Sequence, residues 1–89
     1  MDAKHRYAEL AAREAELAEA QLKRSRSAWL YAMRHESGGM RDHFIRIATQ
    51  ARFEWKGHHD RARQFEERAA RAAEAAKVET PASEVETPG

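Results

Sequence analysis

The side chains best suited to metal chemistry lie in one short stretch of the chain, around Glu54 and His58. These two residues are four apart, so on a helix they share one face, and His59 and Asp60 follow directly. Carboxylate and imidazole groups are ligands of zinc and di-iron sites, but the Glu-x-x-His spacing of helical di-iron proteins is absent. A histidine on a packed helix face is more often a hydrogen-bonded core residue. We therefore expect no metal and no other cofactor.

A second group of side chains suits the binding of phosphate. Guanidinium groups grip phosphate oxygens and aromatic rings stack on bases, so arginines interleaved with Trp29, Tyr31 and Phe44 are typical of a nucleic-acid or nucleotide surface. The alternative, favoured by the helical spacing of the aromatic residues, is that they form a core whose rim the arginines shield. The candidate residues for binding an anion or a partner are Arg24, Arg26, Arg34, Arg41 and Arg46.

The formal net charge of +1 hides an uneven layout. Residues 1–22 carry three basic and five acidic side chains, residues 23–63 carry ten and four, and residues 64–89 carry three and six. The middle of the chain is therefore basic, and both ends are acidic. Arginine outnumbers lysine by twelve to four, which suits bidentate contacts, although a coding bias toward Arg and Ala would give the same ratio.

The signals of several other protein classes are missing from the sequence. There is no cysteine for a disulfide framework or a thiolate metal site, no Gly-rich phosphate loop and no recognisable nucleophile motif. No apolar run approaches the roughly 18 residues of a membrane span, and residues 1–10 lack the apolar stretch of a secretory signal. We expect a non-enzymatic, cytoplasmic protein without membrane contact.

Two long antiparallel helices are predicted to position these groups, in an all-α hairpin over residues 1–77. The strong helix formers Ala, Glu, Arg, Leu and Gln dominate both segments, and Asp2 is the predicted N-cap of the first. Gly38 and Gly39 supply a permissive backbone where the chain must turn. The predicted bounds are 2–36 for the first helix, 37–39 for the turn and 40–77 for the second helix.

The last segment of the chain, residues 78–89, has a different composition. It contains both prolines, repeats Val-Glu-Thr-Pro and carries net negative charge without any aromatic residue. Such a segment cannot form a core, so we expect a flexible acidic tail.

Heptad rows define the predicted Ala-rich, coiled-coil-like seam between the helices. The first helix carries one continuous pattern with steps of three and four: Ala8, Ala11, Ala15, Ala18, Leu22, Ser25, Trp29 and Ala32. The second helix carries two rows at seven-residue spacing: Phe44, Ala51, His58, Phe65 and Ala72, and Ala48, Trp55, Ala62, Ala69 and Ala76. Because these rows keep their phase across Gly57, we expect a continuous second helix; the first helix has a similar soft spot around Ser25.

Folding at the turn places side by side those residues whose numbers add up to about 76. Acidic residues of the first helix then match much of the positive charge of the second, and each exposed pair contributes about 0.2–1 kcal/mol. The predicted groups are Glu9, Glu14, Glu16 and Glu19 beside Lys56, Arg61, Arg63 and Arg68. The arginines nearer the turn stay unmatched, so the hairpin is expected to have an electropositive tip.

The apolar residues are too small for a thick core and too widely distributed for one helix contact. Nineteen of the 37 are Ala, and most of the larger ones lie between positions 29 and 55. Because each of two helices buries only one stripe, we expect self-association into a four-helix bundle or a higher oligomer. The candidate oligomer-interface residues are Trp29, Tyr31, Phe44, Ile47, Trp55 and Phe65.

These patterns predict a small helical interaction protein that self-associates and binds a macromolecular partner. A protein is the favoured class of partner. Its role would be that of a regulator, an inhibitor or a small assembly subunit. The alternative hypothesis is a binder of nucleic acid or a nucleotide through the basic, aromatic-containing tip. Salt separates the two, because phosphate binding weakens steeply as salt is raised.

Overall fold

The computed structural model of this chain is a hairpin of two helices that lie antiparallel. It describes the backbone of residues 2–36 and 38–86 and the side chains of residues 2–36 and 38–77. Helix α1 spans Ala3–Met33 and helix α2 spans Gly39–Glu86, with lengths of about 46 Å and about 72 Å at 1.5 Å per residue. The predicted all-α hairpin is confirmed. Within the described residues, neither helix has a stretch apolar and long enough to cross a membrane.

Helix α1 begins as predicted and ends three residues early. The side chain of Asp2 accepts a hydrogen bond of 2.9 Å from the backbone N–H of His5, which caps the helix and lowers the pKa of the Asp2 carboxyl. The helix runs without a break through Ser25. At its other end the N–H of Arg34 and that of His35 donate to carbonyls three residues earlier, and this tighter last turn ends the helix before the predicted residue 36.

A glycine in a left-handed conformation makes the turn between the helices. Gly38 has φ of +103°, which side-chain-bearing residues rarely adopt. Its carbonyl accepts a hydrogen bond of 3.1 Å from the N–H of Asp42, so α2 already begins at Gly39, which the sequence pattern assigns to the turn. Arg41 spans the turn by donating from Nη1 to the carbonyl of Glu36 at 2.6 Å. Residue 37 lies outside the described residues.

Helix α2 is continuous across Gly57, as expected, and extends past the predicted end at residue 77 to Glu86. Extending an existing helix fixes one residue for each hydrogen bond gained, so the alanine-rich stretch before residue 77 favours continuation. Helix α2 continues through Pro81, although the proline nitrogen has no hydrogen to donate to a backbone carbonyl of the helix. The side chains of residues 78–86, and residues 87–89 altogether, lie outside the described part, and the flexibility of the tail stays a prediction.

Alanine lines the seam between the two helices. The buried apolar residues of the described part are all alanines: Ala11, Ala18, Ala28, Ala32, Ala48, Ala51 and Ala62. Ser25 is buried among them, and its hydroxyl donates a hydrogen bond of 3.0 Å to the backbone carbonyl of Ala48 on the other helix. A side chain this short reaches the opposite backbone only because no large residue separates the helices here.

The pairing register agrees with the predicted one to within about one helical turn. Contacts across the seam join residues whose numbers add up to 72, 72, 73 and 75, against a predicted value of about 76: Tyr7 with Phe65, Glu14 with His58, Ser25 with Ala48, and Tyr31 with Phe44. The turn at Gly38 therefore sets the contact partners along the full length of α1.

Both predicted seam rows of α2 lie in the seam, whereas only one of the two rows predicted for α1 does. On α2 the two heptad rows are buried or half-buried up to Ala72, and only Ala76 is exposed. On α1 the row of Ala11, Ala18, Ser25 and Ala32 lies in the seam, but the second predicted row is displaced to one side. That displaced row consists of Ala8, Ala15, Leu22 and Trp29, and its place is taken by Tyr7, Glu14, Gln21, Ala28 and His35. In this second row of the seam, Tyr7 stacks on Phe65 and Glu14 pairs with His58.

Candidate interaction surfaces

One side of the hairpin carries an open groove lined by both apolar and charged side chains, which we call the groove face. Its first part has a volume of about 500 Å³ and runs between Ala15 and Leu22 of α1 and Trp55 of α2. Its second part, of about 360 Å³, continues from Trp55 toward the turn, between Trp29 and Phe53. Trp55 lines both parts, so the two parts adjoin at its side chain beside the seam.

Trp55 is held in place by its neighbours on α2. The guanidinium of Arg52 lies over its ring at 4.5 Å, and the ring of His59 stacks on it at 5.0 Å. These residues are three and four positions away, where helical neighbours share a face. Trp55 is therefore half-buried and preorganised, whereas Trp29 opposite to it remains 46% exposed.

Exposed large apolar side chains concentrate around this face and the turn. Phe53 and Met33 are each 76% exposed. The full set of exposed large apolar residues in the described part is Leu17, Trp29, Leu30, Tyr31, Met33, Met40 and Phe53. Seven of the 15 large apolar side chains in the described part are thus exposed, and the other eight are half-buried.

The six predicted oligomer-interface residues fall into two groups. Trp29 and Tyr31 are exposed, and Ile47 and Trp55 are half-buried. Phe44 and Phe65 already have partners within the hairpin: Phe44 stacks on Tyr31 with ring centroids 5.3 Å apart, and Phe65 stacks on Tyr7 at 6.4 Å. The sequence pattern does not separate rings that close the hairpin from rings that it leaves free.

The five predicted anion-binding arginines are all exposed. Two of them already contact other groups of the hairpin, and three do not. Arg41 is committed to the carbonyl of Glu36, and Arg34 lies over the ring of Tyr31 at 5.1 Å. Within the described residues, no ion pair or hydrogen bond of the side chain is found for the remaining three, Arg24, Arg26 and Arg46.

A polar cluster of Glu14, His58 and Arg61 closes the seam in the half of the hairpin far from the turn. His58 Nδ1 lies 2.6 Å from Glu14 Oε2, and Arg61 Nε lies 3.4 Å from the same oxygen. Arg61 Nη2 also approaches His58 Nδ1 to 3.0 Å, but one nitrogen cannot donate and accept at once. We assign the Nδ1 proton to the shorter contact with Glu14. That hydrogen bond lowers the pKa of Glu14, the positive charge of Arg61 acts in the same direction, and partial burial opposes both.

The predicted charge pairing across the hairpin is realised at Glu14 with Arg61. Other ion pairs of the described residues form within a single helix: Glu19 pairs with Lys23, and Lys56 pairs with Asp60. Long exposed side chains find partners one turn away on their own helix at little entropic cost, so matching between helices is confined to the half-buried cluster.

The metal hypothesis at Glu54 and His58 finds no assembled ligand set. Glu54 accepts a hydrogen bond from Gln50 on the exposed side of α2, while His58 turns into the seam toward Glu14. Among the described residues no three metal-ligating side chains come together.

Two residues whose place in the seam the sequence does not predict matter to these surfaces. Charge matching predicts Glu14 as part of an exposed ion pair, yet its side chain lies in the seam. The sequence feature that could have indicated this is His58, because a histidine in the seam of α2 needs a hydrogen-bond partner at the matching position of α1. Gln21 also lies in the seam, and its Oε1 is buried without a hydrogen-bond partner in the described part.

Comparison of the chain with protein-family models, with curated proteins and with solved structures gives no match.

Proposed function

We propose that this chain is a non-enzymatic interaction protein, a helical hairpin that self-associates and then binds a macromolecular partner as a regulator, inhibitor or small assembly subunit. The observation that carries the proposal is the exposure of its large apolar side chains, Trp29 and Phe53 among them, over a core made only of alanine. Contiguous exposed apolar surface marks interaction sites in proteins that are otherwise stable in water.

Self-association comes first in this proposal because of the thin core. Burying an alanine gains much less than the roughly 1.5–3 kcal/mol of a buried Leu or Phe, and a single seam between two helices offers no further layer. Covering the groove face would add large side chains to the core of each hairpin. The exposed tip, with Tyr31, Met33 and Met40, then remains for a different partner.

Tryptophan quenching on dilution tests this function. We expect Trp29 to be protected from acrylamide at high protein concentration and to become quenchable on dilution, as the self-associated form dissociates. A quenching constant that is high and independent of protein concentration contradicts the proposal. Trp29→Phe identifies the contribution of Trp55, which is half-buried within the hairpin itself.

Phosphate binding is the second candidate function, because Arg24, Arg26 and Arg46 are exposed without an ion pair among the described residues. The test is binding of a short nucleic acid at about 50 and about 200 mM salt, where phosphate contacts weaken by orders of magnitude. A charge-reversed Arg24/Arg26/Arg46 triple variant abolishes binding if the tip is the site. Undiminished binding by that variant rejects the tip.

A further inference from the structure

The row of Ala8, Ala15, Leu22 and Trp29 repeats every seven residues and lies beside the seam of α1. A helix that packs on a single neighbour needs only the two rows of its seam. A third row at the same period is typical of a helix with a second helical neighbour, as in a bundle. In the described part of this chain the only neighbour of α1 is α2. The third row therefore has no helix against it.

We propose that a second copy of this chain covers the groove face, with the two α1 helices antiparallel about a two-fold axis that passes at Leu22. This inference rests on the proposed self-association and specifies its face and geometry. Residues of the two α1 helices then face each other when their numbers add up to about 44.

The sizes of the side chains on the row are self-complementary in this arrangement. Leu22 meets its own copy at the axis, and the small Ala15 of each chain faces the large Trp29 of the other. Ala15 lines the part of the groove with a volume of about 500 Å³, and Trp29 lines the part with a volume of about 360 Å³. An exposed ring is thus placed against an alanine of the row that leaves room for it.

Two charges of α1 beside the row are self-complementary as well, while Arg52, Lys56 and Arg63 of α2 also line the groove. Glu19 lies on the groove side of α1 below Leu22, and Arg26 lies above it by a similar distance along the helix. The two-fold rotation brings Glu19 of each chain next to Arg26 of the other. A parallel arrangement would instead oppose like charges, which costs affinity and selects against that orientation.

The pair Leu22→Glu and Leu17→Glu tests the face in sedimentation velocity runs of the full chain. Both leucines lie on α1, and Leu17 is 41% exposed on the side of the seam away from the groove. Leu22→Glu places two carboxylates together at the axis, and we expect the dimer to weaken by at least about 100-fold. Leu17→Glu is expected to dimerise like the unmodified chain.

The outcomes are distinguishable. A Leu22→Glu dimer of unchanged affinity, or dissociation by both variants alike, overturns the proposed face while self-association stands. A monomeric unmodified chain at high concentration overturns self-association itself.

A disulfide test replaces the charge test if Leu22→Glu loses helical circular dichroism. The chain has no cysteine of its own, so Leu22→Cys introduces a single thiol in each copy. Oxidation by a copper catalyst then gives a disulfide dimer only when the Cα atoms of the two substituted residues come within about 7 Å. We expect a high yield for this variant. Leu17→Cys is the control, and an equal yield from both variants contradicts the axis.

Discussion

Ala48 lies in the seam, and enlarging it should open the hairpin. Its side chain is fully buried, and its carbonyl receives the hydrogen bond from the Ser25 hydroxyl at 3.0 Å. Ala48→Leu puts an isobutyl group where a methyl group fits, and overpacking of this kind costs about 1–3 kcal/mol. Separation of the helices also breaks the Ser25 hydrogen bond, worth about 0.5–1.5 kcal/mol. The sum is a loss of about 2–4 kcal/mol in the free energy of unfolding.

Urea and thermal unfolding followed by circular dichroism at fixed protein concentration measure this loss. In a domain of this size it lowers the melting temperature by about 10 °C or more. Ala20→Leu is the matched control: Ala20 is exposed on α1, Leu and Ala have similar helix propensity, and the change should stay within about 0.5 kcal/mol. Equal midpoints for Ala48→Leu and Ala20→Leu would refute the close approach of the two backbones.

Four further changes probe single features, each measured as a free energy of unfolding. Gly38→Ala is expected to destabilise by about 1–2 kcal/mol because φ is +103° there, whereas Gly39→Ala, equally open in space, should not. Gly57→Ala should stabilise the fold by up to about 1 kcal/mol, because alanine has the higher helix propensity. The added Cβ would lie at an ordinary contact distance of 3.6 Å from the Arg61 guanidinium, so no clash opposes this gain. Destabilisation would contradict the unbroken helix. Gln21→Leu should stabilise by about 1 kcal/mol by removing an unpaired buried oxygen. The lowered pKa of Glu14 adds stability above its unfolded value near 4.5 that is lost as pH falls through the folded pKa. Glu14→Gln should therefore flatten the acid limb of the stability profile, and an unchanged limb would count against the cluster.

The helices, their order and their approximate register could be predicted because these follow from local composition and from one turn. Both rows of α2 were predictable since they carry the large rings of Phe44, Trp55 and Phe65 at seam spacing. The turn bounds were off by a few residues, because the i−3 hydrogen bonds of Arg34 and His35 and the cap at Gly38 depend on backbone geometry that residue types do not determine.

The seam of α1 could not be predicted from apolar periodicity alone. The rows through Ala15 and Glu14 both have heptad spacing, and apolarity favours the alanine row. In the structure the row through Glu14 lies in the seam, because Glu14 pairs there with His58. These two residues are 44 positions apart in the sequence. The candidate interface changes with it: Leu22, which periodicity assigns to the interior of the hairpin, lies on its groove face together with Trp29, a predicted interface residue.

Sedimentation equilibrium of the unmodified full chain at micromolar concentrations tests the central claim, that one hairpin is incomplete and associates with another copy. A dimer built on the two-fold axis at Leu22 has twice the 10.2 kDa mass of the chain, and a higher oligomer has a larger multiple of it. We expect a mass of at least two chains that falls toward one chain on dilution. A mass of 10.2 kDa at every concentration would contradict it.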